Sequence, residues 1–344
     1  MSIQQSLVLE SKQGSLIVSE TPIPQLQPGE LLIKVQAAGL NPVDWKIQAT
    51  GFLVESYPAV LGSDVAGDIE QVGEGVVGWA KGDKVLFQGF YRNERAAFQQ
   101  YTTIPADLVA KIPSKYTYSQ AAAIPVSLSC AIYGLYAPKP IGLGLNPTID
   151  PSVKQTGQPV LVLGGSTAVG KYAIQLLRYM EFSPIITYAS SKHSAHLESL
   201  GATHIIDRQE VPLADLPSVI AKTTELPLKI VFEVVGDTET LEAGINCLVD
   251  GGALVTVNSR ANTDRNDGKT VVAVFGTVHL PHTRAFGKVL YERLPQLLEK
   301  DVIVPPRVED LTNGLKGIVD GLQRLKRNEI SGFKLIGHPQ EPSS

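Results

Sequence analysis

The second half of the chain alternates short apolar segments with amphipathic ones, and this alternation restricts the fold more than any other feature. Segments with helical periodicity, such as Val169–Met180 and His193–Leu200, separate apolar segments of strand length. The apolar segments are Val160–Leu163, Ile185–Tyr188, Thr203–Ile206, Lys229–Val235, Ala253–Val257 and Thr270–Phe275. Buried strands that alternate with amphipathic helices predict a doubly wound α/β domain with a parallel sheet, which we place at residues 126–278.

The first part of the chain has short strand-like segments separated by glycine and proline. Leu31–Val35 and Lys84–Phe87 each follow a glycine-containing turn. Many short strands of this kind predict a small β-rich, barrel-like domain over residues 1–125, which residues 279–344 complete. The proline- and glycine-rich residues 138–158 are long for a connection and predict a surface excursion.

Composition argues against several classes of protein. The net charge of −4 leaves no surplus of cations for nucleic-acid phosphates. Two cysteines, Cys130 and Cys247, provide neither a disulfide framework nor a cysteine-rich zinc site. The sequence contains no run of about 18 apolar residues, so it predicts no membrane span. Met1–Glu10 lacks the pattern of a signal peptide. We therefore expect a cytoplasmic protein that acts on a small molecule.

A glycine-rich turn lies between the first apolar strand and the helix that follows it. In this context, glycines permit a tight turn and close approach of the backbone to a pyrophosphate, which the helix N-terminus also attracts. The sequence departs from a strict G-x-G-x-x-G pattern, because Thr167 stands where a glycine is usual. The residues predicted to hold a dinucleotide here are Gly164, Gly165, Ser166, Thr167, Ala168, Val169 and Gly170.

The end of the second strand predicts which dinucleotide binds. Enzymes that use NAD usually place Asp or Glu there to hold the ribose 2′-hydroxyl, and Tyr188–His193 contains neither. Hydroxyls and cations suit a 2′-phosphate instead. The sequence therefore predicts NADPH as the cofactor, with its 2′-phosphate held by Ser190, Ser191, Lys192 and, after the next strand, Arg208.

Several ordered motifs extend the pattern over nearly the whole chain. They are Gly39–Lys46, Pro58–Gly67, Gly73–Val76, Gly82–Val85 and Ala97–Tyr101. Together with the glycine turn they resemble the medium-chain dehydrogenase/reductase superfamily, and most of all its zinc-free quinone oxidoreductase and enoyl reductase branch, which includes fungal stand-alone enoyl reductases. The resemblance implies a Rossmann domain and a GroES-like catalytic domain.

The resemblance also bears on metal chemistry. In zinc-dependent relatives, ligands lie in the stretch that matches Asn41–Asp44, at the position of Ser63 and near Val126. These residue types do not supply the three N, S or O ligands of a catalytic zinc, so we expect no metal. Without a Lewis acid, the implied reaction is hydride transfer to the β-carbon of an enone, enal, quinone or enoyl thioester.

Site residues follow from the resemblance. Asn41, Lys46 and Tyr57 are the catalytic candidates, with solvent as the alternative proton donor to Tyr57. Lys46 is expected to hydrogen-bond the cofactor ribose or the substrate carbonyl. Further cofactor contacts are implied for Asp44, Lys46, Ser129, Cys130, Val235, Gly236, Val257, Asn258, Phe275, Gly276, Thr277 and Lys334.

Other functions stay open on the sequence alone. A non-catalytic NADPH-binding sensor or structural protein would share the glycine turn, and a carbonyl or alcohol dehydrogenase would share the fold. Relatives include both dimers and monomers, so the sequence predicts a monomer or a homodimer. Neither nucleic acid nor membrane is an expected partner.

Overall fold

The computed structural model describes residues 2–342, which form two compact units. Among the described residues, the β-rich unit contains residues 2–126, 290–299 and 304–342, and the parallel-sheet unit contains residues 127–289 and 300–303. No helix within the described residues is long and apolar enough to cross a membrane.

The β-rich unit is built from two sheets. Their strands are β1 (Ile3–Leu9), β2 (Leu16–Pro22), β3 (Glu30–Gly39), β4 (Ala59–Val60), β5 (Asp64–Val72), β6 (Lys84–Gln88), β7 (Tyr101–Pro105), β8 (Ala110–Lys111), β15 (Arg307–Asp310) and β16 (Phe333–Gly337). The smaller sheet has the order β2-β1-β4, and the larger has the order β15-β16-β3-β5-β6-β8, with β7 also paired to β3. The C-terminal strand β16 is antiparallel to β3, so residues distant in the chain complete the sheet.

Three helices belong entirely to this unit: α1 (Pro42–Thr50), α2 (Tyr118–Ala122) and α9 (Gly314–Lys326). In the sequence, Ser119 is a possible N-cap for a helix over Ser119–Ile124, and this prediction of the N-cap is wrong. The side chain of Thr117 accepts a hydrogen bond from the Gln120 N–H and caps α2 instead. The N-cap therefore lies two residues before Ser119, because a threonine hydroxyl can also satisfy a first-turn N–H.

The parallel-sheet unit contains one six-stranded sheet in which every pair is parallel. Its strands are β9 (Val160–Leu163), β10 (Ile185–Ala189), β11 (His204–Asp207), β12 (Ile230–Glu233), β13 (Ala253–Thr256) and β14 (Thr270–Ala273). Their order is β11-β10-β9-β12-β13-β14, which is the order of a Rossmann fold. The predicted doubly wound sheet and the β-rich partner domain are both confirmed.

Helices alternate with these strands. They are α3 (Pro125–Tyr136), α4 (Ala168–Tyr179), α5 (Ser194–Leu200), α6 (Leu216–Thr223), α7 (Thr238–Cys247) and α8 (Arg284–Glu299). All four residues of β9 are buried, because helices cover a central parallel strand on both faces. On one side the core is formed by residues such as Leu161, Ile186, Leu216, Val231 and Leu254.

Residues 138–158 contain no helix or strand, yet backbone hydrogen bonds tie them to the parallel-sheet unit. The N–H of Leu143 donates to Gly134 on α3, and the N–H of Gln155 donates to Met180 after α4. Within the segment, the Asn146 side chain closes a turn with the backbone N–H and carbonyl of Asp150. The segment is thus an anchored excursion.

Candidate functional site

One left-handed glycine and two close approaches shape the turn after β9. Gly164 has a φ of +89°, in the left-handed region. A Cβ on Gly165 would lie 2.0 Å from the Thr187 Oγ1, and a Cβ on Gly170 would lie 2.4 Å from the Gly164 carbonyl oxygen. A side chain at either position would therefore force β9, β10 and α4 apart.

The structure explains why Thr167 stands where the pattern usually has a glycine. It is the N-cap of α4, and its Oγ1 accepts a hydrogen bond of 3.0 Å from the Gly170 N–H. A glycine has no side-chain oxygen and cannot satisfy this N–H. No hydrogen bond among the described residues engages the N–H groups of Ala168 and Val169. The first turn of α4 therefore offers unpaired donors beside a positive helix end, which suits a phosphate.

The ends of β10 and β11 bring together the residues predicted to hold a 2′-phosphate. Ala189 pairs with Asp207, and the N–H of Arg208 donates to the Ala189 carbonyl. Ser191 and Lys192 are exposed in the turn that follows β10. The two strands thus place Arg208 at the level of this turn, although 16 positions separate it from Lys192.

Asp207 is a neighbour of this cluster that the sequence reasoning did not include. The hydroxyl of Ser191 donates to its carboxylate, and this bond together with the N–H of Gln209 holds the pKa of Asp207 below its ordinary value. Ser191 therefore directs its hydroxyl to a carboxylate within the chain. The available signal was the register of β10 and β11, which only the folded sheet provides.

The carboxyl edge of the sheet also gathers the cofactor residues expected after β12 and β14. Val235 and Phe275 are exposed by 49% and 42%, respectively, which is unusual for large apolar side chains. Gly236 has a φ of +84°. A Cβ on Gly276 would lie 2.5 Å from the Cys130 backbone nitrogen, so the segment after β14 lies directly against α3.

Ser129, next to Cys130 on α3, is fully buried. Its hydroxyl has no hydrogen-bond partner among the described residues. A buried hydroxyl without a partner costs free energy unless a ligand or water completes it. Ser129 thus adds an unused polar group next to Cys130, the residue that lies against Gly276.

The β-rich unit contains a buried polar cluster formed by Asn41, Asp44, Asp64 and Lys334. The Lys334 ammonium donates to Asp64 and, at 3.1 Å, to the Asn41 Oδ1, while the Asn41 amide donates to Asp64 at 2.8 Å. The Val126 N–H donates to the second Asp64 oxygen at 2.6 Å. The positions that match zinc ligands at Asn41 and Val126 are therefore tied to an acid whose counterion is Lys334.

Asp44 lies beside this ion pair on α1 and is fully buried. Its Oδ2 accepts from the Asn41 N–H at 2.8 Å, and its Oδ1 has no partner among the described residues. Burial raises the pKa of the Asp44 carboxyl to about 8, the Asn41 N–H opposes this, and the Asp64 charge adds to it. The Lys334 charge lowers the pKa of Asp44, but burial outweighs it, so the protonated carboxyl is favoured at neutral pH.

The other two catalytic candidates have different surroundings. Lys46 is exposed on α1, with its ammonium 5.8 Å from the centre of the Trp45 ring. Tyr57 is partly buried, and its hydroxyl lies close to Gly51 with no hydrogen-bond partner among the described residues. Asn41 uses its side chain within the buried cluster. The catalytic roles of all three stay predictions.

No group of three or more His, Cys, Asp or Glu side chains that could hold a metal ion occurs in residues 2–342. The buried cluster has two carboxylates, and the ammonium of Lys334 occupies the position between Asp64 and Asn41.

Comparison with known proteins identifies the class. The Alcohol dehydrogenase GroES-like domain family matches residues 27–114, and the Zinc-binding dehydrogenase family matches residues 168–299. The chain belongs to the medium-chain dehydrogenase/reductase superfamily and is an oxidoreductase of that family. Members of this superfamily bind a nicotinamide cofactor.

The most similar proteins include fungal enzymes. Dehydrogenase azaJ of Aspergillus niger is 30% identical over 342 residues, which cover 96% of this chain and 97% of the relative. Trans-enoyl reductase grgB of a Penicillium species is 28% identical, with 96% and 97% covered. Among solved structures, an alcohol dehydrogenase superfamily protein from Novosphingobium aromaticivorans has a TM-score of 0.79 at 24% identity, with 96% and 99% covered, and so shares the fold.

The residues present fit a nicotinamide dinucleotide. The turn Gly164–Gly170 leaves room for a close backbone approach, and the first turn of α4 has free N–H groups. The buried hydroxyl of Ser129 lacks a partner. These groups supply what a pyrophosphate and a polar ring substituent require.

The capping role of Thr167 can be measured. Thr167→Val removes the oxygen that accepts from Gly170 while preserving the shape of the side chain, and we expect it to lower the free energy of unfolding by about 1 kcal/mol. Thr167→Ser retains the oxygen and should stay close to the wild type. Chemical denaturation of the three proteins provides the test, and equal stabilities would contradict the capping role.

The buried proton on Asp44 predicts a pH-dependent stability. Because the folded pKa of about 8 lies above the ordinary value of 3.8, the folded state loses stability as the pH rises between these values. Asp44→Asn cannot ionise, so it should flatten this dependence and, above pH 8, exceed the wild type by at least about 1 kcal/mol, since one pKa unit corresponds to about 1.4 kcal/mol.

Urea unfolding at several pH values measures this effect. Asp320→Asn, which changes an exposed carboxylate on α9 of the same unit, is the matched control and should keep the wild-type slope. Identical slopes for Asp44→Asn and the wild type would show that Asp44 is ionised in the folded protein.

Proposed function

We propose that this protein is an NADPH-dependent, zinc-independent reductase that transfers hydride to the β-carbon of an activated C=C bond. The substrate classes are enones, enals, quinones and enoyl thioesters. The observation that carries the proposal is the buried Lys334–Asp64–Asn41 network, which engages positions where zinc-dependent relatives hold ligands. Without a metal to polarise an alcohol or ketone, an activated double bond is the acceptor that hydride chemistry favours.

The names of the relatives support the same class of acceptor. Trans-enoyl reductases recur among the similar curated proteins. Among the similar folds is a quinone oxidoreductase of Coxiella burnetii, with a TM-score of 0.72 at 22% identity and 98% of this chain and 99% of that chain covered. Both names describe reduction of a conjugated system.

Bound NADPH would supply the hydride. The turn Gly164–Gly170 and α4 would hold its pyrophosphate, and Lys192 and Arg208 its 2′-phosphate. The substrate oxygen gains negative charge as its β-carbon is reduced, so it needs a hydrogen-bond donor. Lys46 is the candidate, because its ammonium is exposed. The proton for the α-carbon comes from Tyr57, whose hydroxyl is unpaired, or from solvent.

Turnover assays test the reaction directly. We expect the purified protein to oxidise NADPH in the presence of 2-alkenals, quinones or enoyl thioesters, and to leave the matching saturated aldehydes unreduced, because only the conjugated acceptors can delocalise the added charge. Gly170→Ala places a Cβ against the Gly164 carbonyl and is the control, since it should reduce cofactor affinity and activity together.

Two outcomes would contradict the proposal. Binding of NADPH without turnover of any conjugated acceptor would favour a sensor or structural protein. Stoichiometric zinc, together with oxidation of alcohols that a chelator abolishes, would favour a zinc alcohol dehydrogenase.

Cofactor choice has a separate test. Lys192→Ala combined with Arg208→Ala should raise the Kd for NADPH about tenfold or more and leave the Kd for NADH unchanged, since hydrogen bonds to charged groups contribute about 1.5–3 kcal/mol each. Asp207→Asn should shift the preference in the opposite direction, towards NADPH, because it removes a negative charge beside Ser191.

Fluorescence titration with both dinucleotides measures these constants. Lys222→Ala, which removes an exposed cation from α6 of the same unit, is the control for a general loss of positive charge. Equal weakening of NADPH and NADH by the double variant would refute the 2′-phosphate assignment.

A further inference from the structure

Glu233 is a fully buried carboxylate at the carboxyl end of β12. The other three residues of this strand, Ile230–Phe232, are apolar. An acid in such a strand is costly unless hydrogen bonds satisfy both of its oxygens. Packing of apolar side chains does not explain why an acid stands at this position, between an apolar strand and a turn.

Three donors from different parts of the unit hold this carboxylate, and a fourth hydroxyl lies beside it. Its Oε1 accepts from the N–H groups of Val235 at 2.7 Å and Gly236 at 2.8 Å. The Thr240 hydroxyl lies 3.0 Å from the same oxygen and 2.8 Å from the Asp237 Oδ1, and these two acceptors share its single hydrogen. The Glu233 Oε2 accepts from the Thr256 hydroxyl at 2.6 Å. Both oxygens are therefore satisfied, and charge-assisted bonds of this kind are stronger than neutral ones.

The contacts connect two successive turns at one edge of the sheet. Glu233 Oε1 holds the turn at Val235 and Gly236, which follows β12. Thr256 ends β13, and its Oγ1 also accepts from the Asn258 N–H at 3.0 Å, so the turn after β13 is joined to the same carboxylate. One side chain thus fixes the backbone after both strands.

The first of these turns lies directly against the glycine turn. A Cβ on Gly164 would lie 3.0 Å from the Val235 Cγ2 and 3.1 Å from the Val234 Cγ2. Val235 is 49% exposed although it is apolar. The Glu233 hydrogen bonds therefore hold an exposed apolar side chain in place beside the turn that the proposed function assigns to the pyrophosphate.

We propose that Glu233 is a positioning residue that pre-forms two cofactor-binding turns, and that Thr256 transmits its effect to the second turn. This inference rests on the proposed function. A turn that is ordered before binding costs no ordering free energy when the dinucleotide arrives. Loss of the network should therefore weaken cofactor binding, even though Glu233 itself contacts neither cofactor nor substrate in this role.

Two variants test the network in different ways. Thr256→Val keeps the shape of the side chain and removes both of its hydrogen bonds, so it releases the second turn from Glu233. Glu233→Gln keeps the size of the side chain and removes the charge. Thr223→Val is the matched control, because its hydroxyl bonds only to Val219 within α6.

Both Thr256→Val and Glu233→Gln should raise the Kd for NADPH about fivefold or more, since ordering a loop on binding consumes affinity. Hydrogen exchange of the cofactor-free protein should be faster at residues 235–236 in Glu233→Gln and at residue 258 in Thr256→Val. A residue that only supports the fold would lower the Tm without this selective exchange and without changing the Kd of the folded protein. Thr223→Val should retain the wild-type values.

The outcomes separate this inference from the proposed function. Wild-type affinity for NADPH in folded Thr256→Val would overturn the positioning role, even if Glu233→Gln failed to fold. Unchanged exchange at both turns would also overturn it. If the wild-type protein bound neither NADPH nor NADH, the proposed function would fail and the positioning role would fail with it.

Discussion

Buried charge that must be neutralised within the chain is the constraint on which both units depend. In the β-rich unit, Asp64 is satisfied by Lys334, which is 270 positions away in the chain. The pair therefore requires β16 to lie beside β3, as it does. Breaking such a pair leaves an uncompensated buried ion, which costs about 3–5 kcal/mol. This cost explains why the start of β5 and the distant strand β16 meet at one point.

The parallel-sheet unit meets the same constraint with hydrogen bonds from neutral groups. Within residues 2–342, no cation pairs with Glu233, and two backbone N–H groups and the Thr256 hydroxyl satisfy its oxygens, with the Thr240 hydroxyl shared between Glu233 and Asp237. These two ways of stabilising a buried acid have different effects on the fold. An ion pair closes a sheet between distant segments, whereas a carboxylate that collects N–H groups shapes the turns beside it. Those turns lie where strands of a Rossmann sheet present their ligand-binding edge.

Within the glycine turn, individual residues have separate roles. Gly165 and Gly170 keep the strands and α4 close together, while Thr167 contributes an oxygen that no glycine has. Two N–H groups at the start of α4 are left for a ligand. Asp207 introduces an opposing charge nearby, beside Ser191. Under the proposed function, affinity for a dinucleotide and the choice between NADPH and NADH would therefore depend on different side chains.

The sequence by itself determined the class of fold, because alternating strands and helices predict a parallel sheet. A sheet of this kind binds its ligand at the carboxyl ends of its strands, so the ligand edge followed as well. Periodicity and glycine turns are local properties, so Val160–Leu163 and Gly164–Gly170 were recognisable without coordinates. The buried cluster of the β-rich unit could not be recognised from local sequence properties. Asp64 stood in the motif Pro58–Gly67 and Lys334 was an implied cofactor contact, yet nothing local joined them. Asp207 and Glu233 were missed for the same reason, because strand register and burial arise only when distant segments pack, and those two properties decide which charges meet.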